Sequence, residues 1–351
     1  MKTAILTFQD VENYGAALQA FALKKICERY SDVEILNYYN NYFHRDITEK
    51  RMITLIKRVI NGRDFAQKSK RFYEFQKQYL IKEESRIDKD DLKKLDGVYD
   101  YFITGSDQVW NLECSGNDLS YFLDFVKVSK KVSYAASFGA TICEKEVVES
   151  KLSDYFRISV REKTGMEIIR DILGIEVPVV LDPTLLLEKN EWAEIFKFDF
   201  KEKYVLVYEV LIGDCLFEQA KRFASEKGLE VICITSSNKI RFGAKNIKNA
   251  GPIEWLKLFA GASYVFTNSF HGLAFSLNFN KQFFVELLPP PAQTNTRILE
   301  LLEKTNLLCR DSSKANELEK IEYETVNTVI KEERKKSLNY LSSLFRGGIY
   351  E

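Results

Sequence analysis

The sequence predicts an α/β protein made of two doubly wound domains, and three observations support this fold class. Short apolar runs, typical of buried parallel strands, alternate with helical patterns from the first residues onward. The same alternation restarts after about residue 176. The chain has 351 residues, which is too long for one ordinary hydrophobic core. We therefore expect two domains that face one another across a cleft, with the ligand in that cleft.

The composition excludes several classes of protein. The chain is 45% hydrophobic and 29% charged, which is typical of a globular protein. It carries 51 basic and 51 acidic residues, so its net charge is zero and does not indicate binding to nucleic acid. No apolar stretch is long enough to span a bilayer, and the N-terminus lacks the shape of a signal peptide. We expect a cytoplasmic protein, which could still act at the inner face of the membrane.

The cysteines and histidines give no indication of a metal site. Six cysteines are scattered without a CxxC motif, and we interpret them as reduced thiols. The chain has only two histidines, His44 and His271, which cannot supply a histidine-rich metal cluster. We assign no role to His44. We expect no metal.

The first elements form a βαβ unit. Residues 4–8 read as a strand, residues 16–23 as a helix and residues 33–39 as the next strand, which predicts a parallel sheet. The first turn, residues 12–16, is not GxGxxG and gives no case for a dinucleotide cofactor. Gly15 either lets a ligand approach the backbone closely or makes a simple tight turn.

Residues 41–95 are rich in charged and aromatic side chains. We interpret them as amphipathic helices with solvated faces, inserted into the first domain.

A polar cluster follows the strand predicted for residues 99–104. At the carboxyl end of a parallel strand, where ligands of such sheets lie, hydrogen-bonding side chains beside an aromatic ring suit a sugar. Asp107 could act as a base for a sugar hydroxyl. In the alternative, Asp107 caps a helix and Trp110 packs in the core. The candidate residues here are Ser106, Asp107, Gln108, Trp110 and Asn111.

Two further strands end in polar residues. Residues 131–136 form a strand that ends in small residues, and residues 158–160 form a short strand that runs into Arg161. An arginine at this rim can bind a carboxylate or a phosphate with two hydrogen bonds. The alternative is a surface ion pair with Glu162, which would contribute little.

The second array begins after a strand and turn at residues 177–184. We assign a Rossmann-like N-terminal domain to residues 1–175, a second to residues 176–325 and a closing amphipathic helix to residues 326–351. In the second domain, the predicted strands are residues 204–208, 229–235, 263–266 and 282–286.

The turn at residues 267–272 is the main candidate for an anion site. It follows a buried strand and opens a helix at residues 273–277, and helix starts expose unpaired N–H groups. An imidazole beside a bound phosphate can donate a proton, which makes His271 a candidate acid. In the alternative, His271 is a helix cap or a core residue.

Several of these segments together resemble the polysaccharide pyruvyl transferase family. The resemblance covers essentially the whole chain, and its motifs occur in the same order. The matching segments are residues 13–20 (NYGAALQA), 105–111 (GSDQVWN), 134–139 (YAASFG), 159–162 (SVRE), 181–184 (LDPT), 269–272 (SFHG), 297–307 with Arg310, and 334–341.

The resemblance implies a GT-B-like fold and a particular reaction. Such proteins transfer pyruvate from phosphoenolpyruvate to two hydroxyls of one sugar in a cell-surface polysaccharide or its lipid-linked precursor. The product is a cyclic ketal, and phosphate is released. Neither a metal nor a nicotinamide is expected.

The candidate residues can be matched to this chemistry. We expect His271 to be the general acid, with Arg161 as a second catalytic group and Asp107 as the candidate base. Glu162 is the second candidate for the base. For phosphoenolpyruvate, the expected ligands are Ser269, His271, Gly272, Arg161 and Arg297. By analogy with GT-B-like folds, the acceptor sugar is placed on the first domain, at Asn13, Tyr14, Gly15, Ser106, Asp107, Gln108, Trp110 and Asn111.

Other functions stay open at this point. A GT-B glycosyltransferase would use a nucleotide sugar and release a nucleotide diphosphate. A non-catalytic carbohydrate-binding relative, or a family member with a different donor, would also fit the fold.

Overall fold

In a computed structural model, the protein comprises two compact units, each built on one parallel sheet. The first unit consists of Met1–Arg51, Glu74–Leu186 and Glu332–Glu351, and the second of Met52–Tyr73 and Leu187–Lys331. The structure describes residues 1–43, 51–82, 85–139, 144–201, 203–211, 213–235, 240–288, 295–315 and 319–345.

The sheet of the first unit has four parallel strands in the order β2-β1-β3-β4. These strands are β1 (Lys2–Leu6), β2 (Asp32–Ile35), β3 (Tyr101–Thr104) and β4 (Lys130–Ser133). The helices in this part of the chain are α1 (Tyr14–Cys27), α2 (Arg51–Phe75), α3 (Lys89–Leu92), α4 (Leu112–Ser115), α5 (Lys145–Leu152) and α6 (Lys163–Leu173).

Helix α1 is fixed at its start by Asn13. The Asn13 side chain accepts a hydrogen bond from the Ala16 N–H at 3.1 Å, which satisfies one of the free donors of the first turn. The helix is apolar on nearly all sides, and all its residues from Tyr14 to Leu23 are buried. It therefore belongs to the interior of the unit, as such all-round apolar helices do.

Two predicted strands, at residues 158–160 and at the start of residues 177–184, are reduced to isolated bridges. Val160 bridges Ala136 on one side and Val179 on the other. The Val160 N–H donates to Pro178 O at 3.1 Å, and the Val180 N–H donates to Val160 O at 2.9 Å. Pro178 has no N–H to continue a ladder, so regular pairing stops. The segments still extend the sheet edge and place the residues that follow them.

The last helix, α12 (Tyr323–Phe345), binds the first unit through its C-terminal half. Arg334 Nε donates to Leu185 O at 2.7 Å, and Ser337 Oγ accepts from the Leu181 N–H at 2.9 Å. Tyr340 donates its hydroxyl proton to Ser133 O at 3.0 Å. This helix thus anchors β4 and residues 181–185.

The sheet of the second unit has five parallel strands in the order β7-β6-β5-β8-β9. They are β5 (Tyr204–Tyr208), β6 (Glu230–Ile234), β7 (Lys245–Ile247), β8 (Ala262–Thr267) and β9 (Gln282–Val285). The helices are α7 (Lys189–Phe196), α8 (Cys215–Lys227), α9 (Pro252–Ala260), α10 (Phe270–Asn278) and α11 (Asn295–Lys304).

Both faces of this sheet are covered, as successive residues of β5 show. Val205 and Val207 join the apolar cluster formed with α8. Tyr208 points to the other face, where its ring lies 5.3 Å from that of Trp255 in α9. Because strand side chains alternate between faces, this pattern requires helices on both sides. The predicted fold class, α/β with two parallel sheets, is confirmed.

The bounds of the two units differ from the predicted domains. The division falls between Leu186 and Leu187, and the closing helix is split at Glu332. Of the predicted insert, residues 52–73 of α2 belong to the second unit, where Arg71 donates to Asn249 O at 2.7 Å. His44 lies outside the described residues, as does Cys143. The five described cysteines are free thiols.

The anchoring of residues 181–185 by α12 can be tested at Ser337. Ser337→Ala leaves the buried Leu181 N–H without its acceptor, so the free energy of unfolding should fall by about 1–3 kcal/mol. Ser342→Ala is the matched control, because the Ser342 hydroxyl bonds only to Asn339 O within the same helix. Urea unfolding measures both. Equal losses in the two variants would contradict the anchoring role.

Candidate functional site

The strand orders define where a ligand is expected in each unit. In the first sheet, β1 lies between β2 and β3, and the connection from β2 crosses to β3 on the other side of β1. In the second, β5 is followed by β6 on one side, and β8 lies on its other side. Ligands of open parallel sheets bind beyond the carboxyl ends of the strands at such a switch point. The candidate residues after β1, β3 and β8 all lie there.

The turn after β3 is held tightly at the first switch point. The Thr7 hydroxyl donates to Ser106 O at 3.0 Å, and the Ser106 N–H donates to Gln19 Oε1 at 3.1 Å. Asp107 adopts φ of 79°, which is unusual for a residue with a side chain. Its Oδ1 accepts from the Gln108 N–H at 2.9 Å. Asp107 does not cap a helix; Asn111 caps α4.

Arg161 lies in a buried cluster of three carboxylates. Its Nη1 is 2.9 Å from Asp182 Oδ2, its Nη2 is 3.5 Å from Asp107 Oδ1, and its Nε is 3.7 Å from Glu162 Oε2. The Arg161 side chain is 1% exposed. Burial alone would lower the pKa of Arg161, but the attraction of Asp182, Asp107 and Glu162 outweighs it, so the pKa is raised. Because Arg161 is buried, the alternative interpretation, in which it forms a surface ion pair with Glu162, does not apply.

Asp182 connects this cluster to the β3 turn, and no role was predicted for it. Its Oδ2 accepts from Arg161 and, at 3.3 Å, from the Ser106 hydroxyl. Its Oδ1 accepts from both the N–H and the hydroxyl of Thr184. The side chain is fully buried. Asp182 thus fixes both Arg161 and the residue before Asp107.

The other candidates for the acceptor sugar differ in accessibility. Trp110 is 2% exposed, and its ring packs on those of Phe122 and Phe138 at 5.9 and 5.1 Å. This favours the core alternative for Trp110. Tyr14 and Gly15 are buried in the first turn of α1. The partly or fully accessible candidates are Asn13, Gln108 and Asn111.

At the second switch point, the turn between β8 and α10 is a capped helix start. Ser269 is the N-cap, and its Oγ accepts from the Gly272 N–H at 3.3 Å. The Thr267 hydroxyl donates to Tyr208 O at 2.7 Å and accepts from the Ser269 N–H at 3.1 Å. A Cβ at position 272 would lie 2.3 Å from Thr267 Oγ1, so only glycine lets α10 pack this close to β8.

His271 and Arg297 both lie near the aromatic ring of Phe270. The His271 ring is 5.3 Å from that of Phe270, and the Arg297 guanidinium is 5.8 Å from the same ring. His271 is partly exposed in the first turn of α10, and Arg297, from α11, is buried. Ser269, and not His271, caps α10, so the imidazole is not required for capping. The structure therefore brings together Ser269, His271, Gly272 and Arg297.

A second buried arginine of the second unit, which the sequence analysis missed, pairs with residues of the loop that follows β5. Arg241 is paired with Glu209 at 2.5 Å and Asp214 at 2.8 Å. Burial raises the pKa of Glu209, and Arg241 only partly offsets it. The Asn268 side chain accepts from the Val210 N–H at 2.8 Å and donates to Leu211 O, which joins the β5 loop to the helix start.

The described residues contain neither a metal-binding cluster nor a membrane-spanning helix. Within them, no three His, Cys, Asp or Glu side chains are grouped so as to hold a metal ion. Among the helices they form, none is long and apolar enough to cross a bilayer.

Two solved structures share the fold of this chain. A protein described as a UDP-N-acetylglucosamine 2-epimerase from Listeria monocytogenes superposes with a TM-score of 0.56 at 10% identity, over 100% of this chain and 98% of that one. MnaA of S. aureus in complex with UDP gives a TM-score of 0.51 at 12% identity, over 97% and 90%. At this identity the likeness concerns the fold alone, which is the predicted GT-B-like α/β class.

The family follows from the sequence profile that the chain matches. The polysaccharide pyruvyl transferase profile matches residues 13–285. The protein therefore belongs to the polysaccharide pyruvyl transferase family, and the resemblance is confirmed. No curated protein sequence matches the chain significantly.

The role of Asp182 can be tested by removing its charge. Asp182→Asn takes one carboxylate from the buried Arg161, so the free energy of unfolding should fall by about 1.5–3 kcal/mol, the range for a hydrogen bond to a charged group. Asp171→Asn is the matched control, because Asp171 forms an exposed pair with Arg170 at 3.4 Å. That change should stay within about 0.5 kcal/mol. Equal effects in urea unfolding would show that Asp107 and Glu162 suffice to hold Arg161.

Proposed function

We propose that the protein transfers pyruvate from phosphoenolpyruvate to two hydroxyls of one sugar, forming a cyclic ketal and releasing phosphate. Family membership supports a role in polysaccharide modification. The choice of donor rests on the start of α10. There a capped turn, His271 and the buried Arg297 lie together at a switch point of the sheet. We propose no metal and no nicotinamide cofactor.

The donor is assigned to the second unit because its chemistry matches the groups there. Phosphoenolpyruvate is a small anion with a phosphate and a carboxylate. Backbone N–H groups at a helix start bind such groups, and the helix dipole favours their charge. Arg297 can form two parallel hydrogen bonds to either group. His271, in the first turn of α10, would share the same anion.

The reaction balances without an added reactant. His271 gives a proton to the methylene carbon of phosphoenolpyruvate, which becomes a methyl group and makes C2 electrophilic. One sugar hydroxyl adds to C2, and the second then displaces the phosphate. Of the two hydroxyl protons, one replaces the proton lost by His271 and the other leaves with the phosphate. The helix start and Arg297 would stabilise the leaving anion.

The acceptor is assigned to the first unit. Asp107, at the first switch point, is the candidate base for the attacking hydroxyl, and Asn13, Gln108 and Asn111 are the accessible amides among the acceptor candidates. Glu162 is the second candidate for the base. Three carboxylates surround Arg161. We therefore propose that Arg161 positions Asp107, in place of the predicted role in which Arg161 contacts phosphoenolpyruvate directly. The acceptor belongs to a cell-surface polysaccharide or its lipid-linked precursor.

Thermal stability with candidate donors tests the proposal. A donor at a hundred times its dissociation constant should add about 2.7 kcal/mol to the free energy of unfolding. We expect a rise in Tm with phosphoenolpyruvate and none with UDP-sugars. A rise with a UDP-sugar alone would overturn the proposal in favour of a glycosyltransferase.

Variants at the α10 start separate catalysis from binding. His271→Ala should lower kcat by about 100- to 10,000-fold, since it removes the proton donor. Arg297→Gln should mainly weaken phosphoenolpyruvate binding, because it removes a charge from the donor site. Phosphate release and the mass of the saccharide product, measured over a panel of saccharides, report the turnover.

Two further variants control for structural effects. His271→Gln keeps a hydrogen-bond donor but cannot serve as the acid, so it should be as inactive as His271→Ala. Arg170→Gln, at an exposed surface arginine, should match the unmodified protein. Full activity in His271→Gln would show that His271 does not donate the proton.

A further inference from the structure

Arg310 is a fourth buried arginine, and its surroundings differ from those of Arg161 and Arg241. It follows α11 beside the edge strand β9, where the Val285 N–H donates to Arg310 O at 2.7 Å. Arg310 is 4% exposed, and its guanidinium lies 5.7 Å from the centre of the Phe284 ring. The side chain is thus held under the α8 face of the second sheet, which Phe284 helps to form.

No carboxylate compensates this charge within the described part of the chain. Nη2 of Arg310 donates to Glu319 O at 2.6 Å, and the buried Nε has no hydrogen-bond partner among the described residues. Arg161, by contrast, has three carboxylates within 4 Å, and Arg241 has two. Burial lowers the pKa of Arg310, as expected for a cation without an anion. Buried charges of this kind are normally paired.

The Arg310 guanidinium borders a small cavity that is also lined by two lysine side chains. The cavity has a volume of about 110 Å³, several times the ~10–15 Å³ that one water needs. Lys227 and Lys320 are exposed at its border, and Phe223 and Phe284 form apolar walls.

The remaining polar groups leave this cavity with an excess of positive charge. Its acidic members are Glu226 and Glu319, so three cations face two carboxylates. Tyr264 and Gln282 complete the lining, and Gln282 is already bonded through both amide atoms to the Ile321 backbone. An oxyanion would supply the charge that the described residues do not.

This cavity is separate from the proposed donor site, although both belong to the second unit. Gln282 is the first residue of β9 and Tyr264 the third of β8, whereas the His271 turn follows the carboxyl end of β8. Three residues of strand, about 10 Å, separate Tyr264 from Thr267 at that end. The two sites can therefore be altered independently.

We propose that this cavity binds a small oxyanion, a phosphate or a carboxylate, through Arg310. The Nε–H and the remaining Nη hydrogens of a guanidinium match two oxygens of such a group. Lys227 and Lys320 would add attraction at the entrance. The site goes beyond the proposed transfer reaction and does not depend on it.

Anion binding by variants that lack one site at a time tests this proposal. Isothermal titration with inorganic phosphate and, separately, with pyruvate would be performed on the full chain at constant ionic strength, with chloride as the balancing salt. An Arg297→Gln background disables the proposed donor site. In that background we expect binding to persist, and Arg310→Gln should weaken it by about 10- to 100-fold, the loss of a charged hydrogen bond.

A second variant keeps the test valid if Arg310→Gln fails to fold. Lys227→Gln with Lys320→Gln changes only exposed side chains and should weaken the same binding several-fold. Loss of binding in Arg297→Gln alone, with full binding in the double lysine variant, would overturn the proposal. So would the absence of binding for both anions. A response to phosphate alone or to pyruvate alone would identify which oxyanion the cavity takes. Phosphoenolpyruvate turnover, measured separately, reports on the transfer reaction.

Discussion

The structure depends on one constraint, which is that all strands of each sheet are parallel. Parallel strands end at the same edge, so whatever follows them in the sequence is brought together there. In the first unit this edge collects Ser106, Asp107, Arg161 and Asp182 from segments far apart in the chain. In the second it collects Glu209 and the turn from Asn268 to Gly272. The chemistry of the protein follows from this topology.

Buried charge then determines how rigid each site is. The carboxylates around Arg161 follow three separate extended segments, so the arginine links them as an ion-paired centre inside a medium of low polarity. Burying these charges costs desolvation energy. The attraction between them offsets that cost only when the charged groups are well oriented. Arg241 has the same design in the second unit. A site built on fixed groups needs little rearrangement when its ligand binds.

Much of this could be predicted from the sequence because it depends on local patterns. The helix after Gly15, the strand before Gly105 and the capped turn at Ser269 each have a signature of a few residues. Trp110 was predicted to contact the sugar because its neighbours in the sequence are polar. Its packing in the core depends on Phe122 and Phe138, which are distant in sequence. Asp182 was overlooked for a related reason. The Asp-Pro-Thr sequence explains its bonds to Thr184, but its contact with Arg161 exists only in the folded chain.

The return of α12 to the first unit has a consequence for how the protein is made. The first unit is bonded to Ser337 and Tyr340, which are synthesised after the whole of residues 187–331. The ribosome releases all of residues 187–331 before those side chains emerge. The strands of the second unit are therefore all synthesised before the N-terminal sheet receives these two contacts. The N-terminal sheet thus reaches its final packing after the second unit can form, the reverse of the usual N-terminal-first order.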